Sequence, residues 1–439
     1  MKKIPTGYTL NECPPVGPRL NDPIEDASTL PVPKRLLLGL QHLFTMFGST
    51  VLVPLTTGLD VATVLLMGGI GTLICHLCTK GKVPVYLGSS FAYITPVIMA
   101  AQVMGGGADG LAYARGGVFL VGIAYIVISL LVMAVGADRV RAVFPPVVTG
   151  SIITSLGLML APTAIDMASE NWALAIVGMA TVIIVTMFFK GFVQVIPVLI
   201  AMIVGYLVSL AAGQVDLTAV KEAAWIGLPS FAAPKFSHVA IALVTPVCIA
   251  TIVECFGDVA AIGETVRKDF YKDPGVHRVM LGDGIATALS AAVGGCALTT
   301  YSENTGVLAL TKVWDPLVMR IAAVFAILLG FCPKVSALLQ TMPGSVVGGI
   351  SIILFGFVAG TGLRTLHPVN FGNSRNQIIF AAVLILCIGG AAVSFTIGEV
   401  AISFGGVALA AVVGLVLNLV LPKFGDEMLE EDGKASSDN

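Results

Sequence analysis

Residues 116–135 read GGVFLVGIAYIVISLLVMAV, twenty positions without one charged side chain. At 1.5 Å of rise per residue, a helix of that length covers about 30 Å, the thickness of a bilayer's hydrocarbon core. The rest of the chain repeats the pattern. Of 439 residues, 11% are charged and 56% hydrophobic, whereas a soluble domain has about 25% charged residues. That composition cannot cover a water-facing surface. A formal net charge of −2 leaves no electrostatic footprint for nucleic acid. The eight cysteines lie scattered, mostly inside apolar runs, and suggest no disulfide framework. Neither a phosphate-binding loop nor a nucleophile elbow is present, which disfavours an ATP-driven pump. The chain reads as an all-α polytopic membrane protein.

Fourteen apolar stretches can be placed, at 36–55, 61–79, 83–104, 111–136, 142–162, 172–189, 192–212, 238–259, 277–294, 296–313, 316–338, 343–363, 376–397 and 401–422. Residues 1–33 are polar and Pro-rich and read as a cytoplasmic arm without the pattern of a removable signal peptide. Cytoplasmic loops hold Lys and Arg in excess. With the N-terminus inside, fourteen crossings put twenty basic residues on that side, among them Lys82, Arg267, Lys268, Arg278, Lys312 and Arg364, and only Arg115, Lys221, Lys235 and Lys334 on the other. Both termini are therefore expected in the cytoplasm.

Val147-Val148-Thr149-Gly150-Ser151-Ile152-Ile153 in segment five is echoed 199 residues later by Val346-Val347-Gly348-Gly349, then Ser351-Ile352-Ile353, in segment twelve. Seven spans separate the two, and an odd number of spans per repeat inverts the second copy. Segments three and ten form another pair. Val83-Pro84-Val85-Tyr86-Leu87-Gly88-Ser89-Ser90-Phe91 and Ala297-Leu298-Thr299-Thr300-Tyr301-Ser302-Glu303-Asn304-Thr305-Gly306 both begin with β-branched, hydroxyl or Gly residues before turning helical. Broken backbone at membrane depth survives only where protein or a wet cavity satisfies it, so two such stretches in matching places point to a central binding site. Close helix packing through Gly and Ser is the alternative.

Segment eight carries Glu254 and Asp258, four residues apart and so on one helical face. Glu303 in segment ten is a third acid. An ionisable group within a span costs about 2.5–3.5 kcal/mol on insertion scales, so it reads as functional unless it sits at the membrane mouth beside Arg267 and Lys268. Carboxylates accept hydrogen bonds and open backbone amides donate them. Together they suit a small planar amide, and a carboxyl that takes up and releases a proton offers a route to proton symport. His42 either braces a neighbouring helix or supports the site. Asp283 lines the same cavity or caps a helix. Cys75-His76-Leu77-Cys78 superficially looks like a metal motif but lacks a second ligand pair, so no metal or other cofactor is expected.

Gln41-His42-Leu43-Phe44-Thr45-Met46-Phe47-Gly48, Gly81-Lys82-Val83-Pro84-Val85-Tyr86-Leu87-Gly88-Ser89-Ser90-Phe91, Lys272-Asp273-Pro274-Gly275-Val276-His277-Arg278 and Tyr301-Ser302-Glu303-Asn304-Thr305-Gly306-Val307 carry a resemblance. Over about residues 34–425 the chain resembles the nucleobase/ascorbate transporter (nucleobase:cation symporter-2) family, most closely its bacterial uracil permeases. The family signature of an acid or Gln, then Asn, Gly and Thr is met by Glu303, Asn304, Gly306 and Thr311.

This resemblance implies two inverted sevens, with segments three and ten part strand and part helix. A core domain would comprise 34–137 and 237–340, a gate domain 138–236 and 341–423, with a tail at 424–439. It implies proton-coupled uptake of uracil across the cytoplasmic membrane and a homodimer formed through the gate. By position, Glu254 and Glu303 would accept from the ring N–H groups, and the backbone amides of Phe91 and Ser302 would donate to the ring carbonyls. Phe91 and Tyr301 would wall the ring, with Ser90 and Phe355 alongside. Asp258, Glu254 and His42 would carry the proton, and Asn304, Gly306 and Thr311 would support the site. Three departures bear on this. Asp258 stands where uracil permeases usually have His, Ser302 replaces a Gly, and Phe355 replaces a Tyr that helps close the site from the gate. Asp258 keeps xanthine or a broader nucleobase range open, whereas Glu303 argues for uracil. An anion carrier or channel of the same architecture is a further alternative, and a membrane-embedded enzyme a more remote one.

Overall fold

The computed structural model describes residues 23–422 except 137, 138, 140, 141, 192, 398 and 399. Most of the N-terminal arm and the whole C-terminal tail lie outside the described residues. In chain order the elements are α1 (Val32–Thr57), α2 (Val61–Cys78), β1 (Leu87–Ser89), α3 (Ile94–Val103), α4 (Gly107–Val135), α5 (Pro146–Met159), α6 (Ala161–Ser169), α7 (Trp172–Phe188), α8 (Pro197–Ala211) and α9 (Thr218–Glu222). There follow α10 (His238–Val244), α11 (Cys248–Val266), α12 (Val276–Val293), β2 (Leu298–Thr300), α13 (Ser302–Thr311), α14 (Leu317–Gly330), α15 (Pro333–Gln340), α16 (Gly344–Leu366), α17 (Ser374–Ile388), β3 (Ala392–Ile397), β4 (Val400–Gly405) and α18 (Gly406–Val420).

Local chemistry sets many boundaries. Gly58 closes α1 at φ +81°, and its N–H donates to the Pro54 carbonyl, a left-handed conformation that Gly adopts without steric cost. Asp60 starts α2 by accepting from the Thr63 N–H at 2.9 Å, an N-cap bond. Pro333 cannot continue the ladder of α14, and the chain turns by 81° there into α15. Among the described residues, six helices are long and apolar enough to cross a membrane, or seven if α14 and α15 count as one bent span, and five apolar helices are shorter. The protein is a multi-pass helical membrane protein.

Segments three and ten are part strand and part helix. β1 pairs antiparallel with β2 in the register Leu87↔Thr300, Gly88↔Thr299 and Ser89↔Leu298. The Ser90 N–H extends the ladder to the Ala297 carbonyl at 2.9 Å, and the Tyr301 N–H reaches the Tyr86 carbonyl at 3.0 Å. The all-α reading needs correcting at one place. The facing ends of segments thirteen and fourteen form a hairpin, β3–β4, with Ala392 opposite Gly405 and Ile397 opposite Val400. Val393, Phe395 and Ile397 alternate with Ser394 and Thr396, the period of a strand, a signal hidden inside a longer apolar run.

The helices pack in two groups. In one, α12 lies against α2 and α4, α14 against α2 and α1, and α3 against α4. In the other, α16 packs on α5, α6 and α7, α7 on α8, and α17 on α5 and α18. The two helices that carry the matching stretches, α5 and α16, pack directly on each other: a Cβ on Gly157 would lie 2.5 Å from the Ala359 backbone N and the Phe355 carbonyl oxygen. Helix α11 runs along the seam, touching α13 and α12 on one side and α5 and α18 on the other.

Gly88 shows how tightly the strand pair is built. A Cβ there would fall onto the aromatic carbons of Tyr301, whereas at Gly356 it would meet nothing within 4 Å. Overpacking of this kind costs about 1–3 kcal/mol or more. Gly88→Val is therefore expected to lower thermal stability in detergent and to abolish substrate binding, while Gly356→Ala retains the wild-type melting temperature. Equal melting curves for the two variants would contradict the tight pairing.

Candidate functional site

The two strands end at one place and their following helices begin there. After β1 the chain makes a 3-10 turn at Phe91–Tyr93 and enters α3, and after β2 it enters α13 at Ser302. Among the described residues, neither Ser90 nor Tyr301, which precede these turns, accepts a side-chain capping bond. First-turn amides are orphan donors unless something outside the helix accepts from them. Two sets of such donors thus face one region.

A cavity of about 740 Å³ opens at this junction. Its inner wall is formed by Ser89, Phe91, Glu254, Asp258, Thr299, Thr300, Tyr301 and Glu303. Ala261, Glu264 and Thr265 of α11, Gly306 and Ala309 of α13, and Gly356, Gly360, Thr361, Arg364 and Thr365 of α16 continue it outward. Glu264 and Arg364 are exposed, whereas Asp258 is buried. The cavity therefore runs from the strand ends to the face on which α11 and α16 terminate. Arg364 is the single basic side chain on its wall among the described residues.

The three acids differ in their partners. Glu254 Oε2 is buried and has no hydrogen-bond partner among the described residues, and an acceptor left so in a nonpolar setting costs several kcal/mol unless a ligand or proton satisfies it. Glu303 Oε1 accepts from the Ser49 hydroxyl of α1 at 3.1 Å. Asp258 Oδ2 accepts from the Thr300 hydroxyl of β2 at 2.7 Å. Glu303 and Asp258 are thus each bonded across the junction of a broken segment and a neighbouring helix, whereas Glu254 is not.

The aromatic groups are fixed by the strands. Tyr301 donates its hydroxyl to the Ser89 carbonyl at 2.9 Å, and the Ser89 hydroxyl donates to the Thr50 carbonyl at 2.9 Å. The Phe91 ring lies 6.5 Å from that of Tyr301, tilted by 34°, and meets Phe355 edge-on at 5.7 Å. Phe355 itself is buried behind Phe91 and does not line the cavity. Ser90 is also buried off the cavity wall, and its hydroxyl has no partner among the described residues. Ser302 contributes the first residue of α13, while its side chain lies outside the described residues.

The remaining residues expected from sequence separate into a wall position and a supporting layer. Gly306 lines the cavity, and a Cβ there would meet nothing within 4 Å. His42 is fully buried behind Glu303, with its Nδ1 3.1 Å from Asn304 Nδ2, which also donates to the His42 carbonyl at 3.2 Å. His42 is off the cavity wall, the position of a brace between α1 and α13. The Thr311 hydroxyl turns back to the Val307 carbonyl at 2.8 Å and accepts from the Val313 N–H at 3.3 Å, finishing α13. Asp283 is buried within α12 and takes no part in the cavity.

Sequence reasoning missed Ser49, Thr300 and Gly88. Ser49 lies seven residues beyond His42, on the same face of α1. Thr300 shares one face of β2 with Leu298, with Thr299 between them on the other, as a strand requires.

The family model Xan_ur_permease, described as Permease family, matches residues 33–396. The chain belongs to this permease family, the nucleobase/ascorbate transporters. It is 42% identical to the uracil permease of Bacillus caldolyticus over 92% of this chain and 96% of that protein. Against the uracil permease of Escherichia coli (strain K12) the identity is 38%, covering 89% and 92%. The putative pyrimidine permease RutG of the same strain is 39% identical, covering 90% and 91%. Among solved structures, the transmembrane domain of the cyanobacterial bicarbonate transporter BicA matches with a TM-score of 0.60 at 16% identity, over 88% of this chain and 97% of that one. SLC26A9 matches with a TM-score of 0.67 at 11% identity, over 89% and 65%. These two likenesses show the fold. The chain is a membrane transporter and not an enzyme.

Ser49→Ala removes the hydroxyl that the Glu303 carboxyl accepts from. Leaving a buried acceptor unpaired costs about 1–3 kcal/mol, so substrate affinity is expected to fall by roughly tenfold or more at unchanged expression, measured by equilibrium binding to purified protein. Wild-type affinity would detach Ser49 from the site.

Proposed function

We propose that this permease takes up uracil with protons across the cytoplasmic membrane by alternating access. Its relatives named uracil permeases support the substrate. The observation that carries the reading is the unpartnered Glu254 carboxyl oxygen in a cavity that Glu303 also lines, where two uncapped helix starts meet. Uracil is flat and uncharged, with two N–H groups and two carbonyl oxygens. Glu254 and Glu303 accept from the N–H groups, the backbone amides of Phe91 and Ser302 donate to the carbonyls, and the rings of Phe91 and Tyr301 cover its faces.

Protons enter through the carboxyls. A buried acid without a counter-charge is costly when ionised, so the uracil-loaded carrier moves inward at lower cost with a proton aboard and releases both inside before it returns empty. Asp258, held by Thr300 at 2.7 Å, takes the coupling role that His fills in related permeases, with Glu254 as its neighbour. His42 acts on Glu303 indirectly, through Asn304.

Fourteen crossings in two inverted sevens agree with the succession of helices once the bent and strand-broken spans are counted singly. The loop contacts support the sidedness. Lys82 pairs with Asp273 at 2.6 Å and Lys268 with Glu25 at 2.8 Å, and Lys235 pairs with Asp109; each pair joins segments that such a count puts on one side. The group containing α1–α4 and α10–α15 forms the core domain, and the group containing α5–α8 and α16–α18 the gate. The gate also supplies the dimer contact.

A xanthine or broader nucleobase carrier is the second reading, favoured by Asp258. A carrier of anions, like the transporters that share the fold, is opposed by the acids on the cavity wall. Uptake and counterflow of labelled uracil in a strain lacking its own carrier, with unlabelled bases as competitors, separate the three. Uracil is expected to exchange and to outcompete xanthine, and preferential exchange of xanthine or of an anion would overturn the assignment. Glu254→Gln is expected to abolish uracil binding with expression retained. Asp258→Asn is expected to retain counterflow but lose accumulation driven by an imposed pH gradient, and vesicles of that variant that still accumulate uracil would exclude Asp258 as the coupling group.

A further inference from the structure

The segment just before α1 makes contacts that the binding site does not explain. Ile24 forms a parallel bridge with Val313. Its N–H donates to the Lys312 carbonyl at 2.8 Å, and its carbonyl accepts from the Trp314 N–H at 2.9 Å. One turn on, the Ala27 N–H donates to Asp315 Oδ2 at 2.7 Å. Ala27 is fully buried, in a small apolar cluster with Leu38, Val313 and Val318 that is separate from the main core. Between these two anchors, Glu25 pairs with Lys268 at 2.8 Å. Asp26 fixes the turn by accepting from the Ser28 N–H at 2.8 Å.

The positions gripped are those where the acid-bearing helices stop. Lys312 ends α13 at φ +54°, and Arg267, next to Lys268, ends α11 at φ +56°. Helix α13 carries Glu303 and α11 carries Glu254 and Asp258. The segment then runs directly into α1, which supplies Ser49 to Glu303 and His42 to Asn304. Residues 24–30 therefore touch, within seven residues, the ends of all three helices whose side chains set the spacing of the acids.

We propose that residues 24–30 are a strap that binds the cytoplasmic ends of α1, α11 and α13 into one body, so that the distance between Glu254 and Glu303 stays fixed while the carrier changes conformation. The inference rests on the substrate site described above, and its physical basis is independent of which base is carried. Two backbone bonds and a charge-assisted bond to Asp315 hold the strap on α13, whereas exposed ion pairs such as Glu25–Lys268 add little alone.

The test compares the full chain with a deletion of residues 2–28 and with Ala27→Arg, which puts a long charged side chain into the buried position. Hydrogen exchange over residues 302–315 reads the strap without any substrate, and labelled uracil binding reads its effect on the site. Both variants are expected to accelerate exchange in that stretch and to raise the dissociation constant for uracil at least fivefold, with monodisperse elution retained. Unchanged exchange and unchanged affinity in both would overturn the proposal, as would a lower melting temperature at wild-type affinity, the result of a merely structural segment. If the full chain itself binds no uracil, the substrate assignment fails, and the exchange measurement alone decides the strap. Joining the strap to α11 through a short reducible bis-methanethiosulfonate bridge between Glu25→Cys and Lys268→Cys, in a background without the native thiols, gives a second arm. Counterflow that survives cross-linking is expected, and counterflow lost on cross-linking and restored by reduction would show that the segment must release during the cycle, contradicting a permanent strap.

Discussion

The antiparallel pairing of Leu87–Ser89 with Leu298–Thr300 is the constraint on which the site depends. In a bilayer a backbone polar group without a partner costs several kcal/mol, so spanning segments are normally helical throughout. Here two segments break at matching places and satisfy each other's backbone. The break yields what a continuous helix cannot offer at that depth, two helix starts without side-chain caps beside a cavity. Tyr301 locks the arrangement by packing on Gly88 and bonding to the Ser89 carbonyl. A larger residue than Gly at 88 would push the strands apart, and with them Phe91 and Glu303.

The acids illustrate how one structural device separates three chemically similar groups. Glu254 keeps an open carboxyl oxygen, Glu303 leans on a hydroxyl from α1, and Asp258 leans on a hydroxyl from β2. Because Thr300 belongs to the strand and Asp258 to the seam helix, the bond between them joins the broken segment to the element that also contacts α5 and α18. That places Asp258 at the boundary between the two helix groups.

Much of this was legible in the residues. Long uncharged runs gave the membrane class, and the Gly- and hydroxyl-rich starts of segments three and ten marked where helices would fail. Glu254, Asp258 and Glu303 stood out because an acid within an apolar run has so few structural excuses, and all three line one cavity. What could not be read was the layer behind them. Ser49 and Thr300 are ordinary hydroxyl residues until the fold sets them against a carboxyl, and His42 reveals its part only once Asn304 is seen beside it. Phe355 was expected at the site and stands behind Phe91 instead, because one helical turn of α16 decides which of Leu354, Phe355 and Gly356 faces the cavity. The β3–β4 hairpin was concealed for a different reason: alternation over six residues is a weak signal within twenty apolar ones.

The most direct test of the central claim is a density map of the purified protein with 5-bromouracil, whose heavy atom marks both the position and the orientation of the ring. The account predicts the ring between Phe91 and Tyr301, with its N–H edges within hydrogen-bond distance of Glu254 and Glu303. A bromine signal confined to the outer cavity beside Glu264 and Arg364, with the strand junction filled by water, would contradict it.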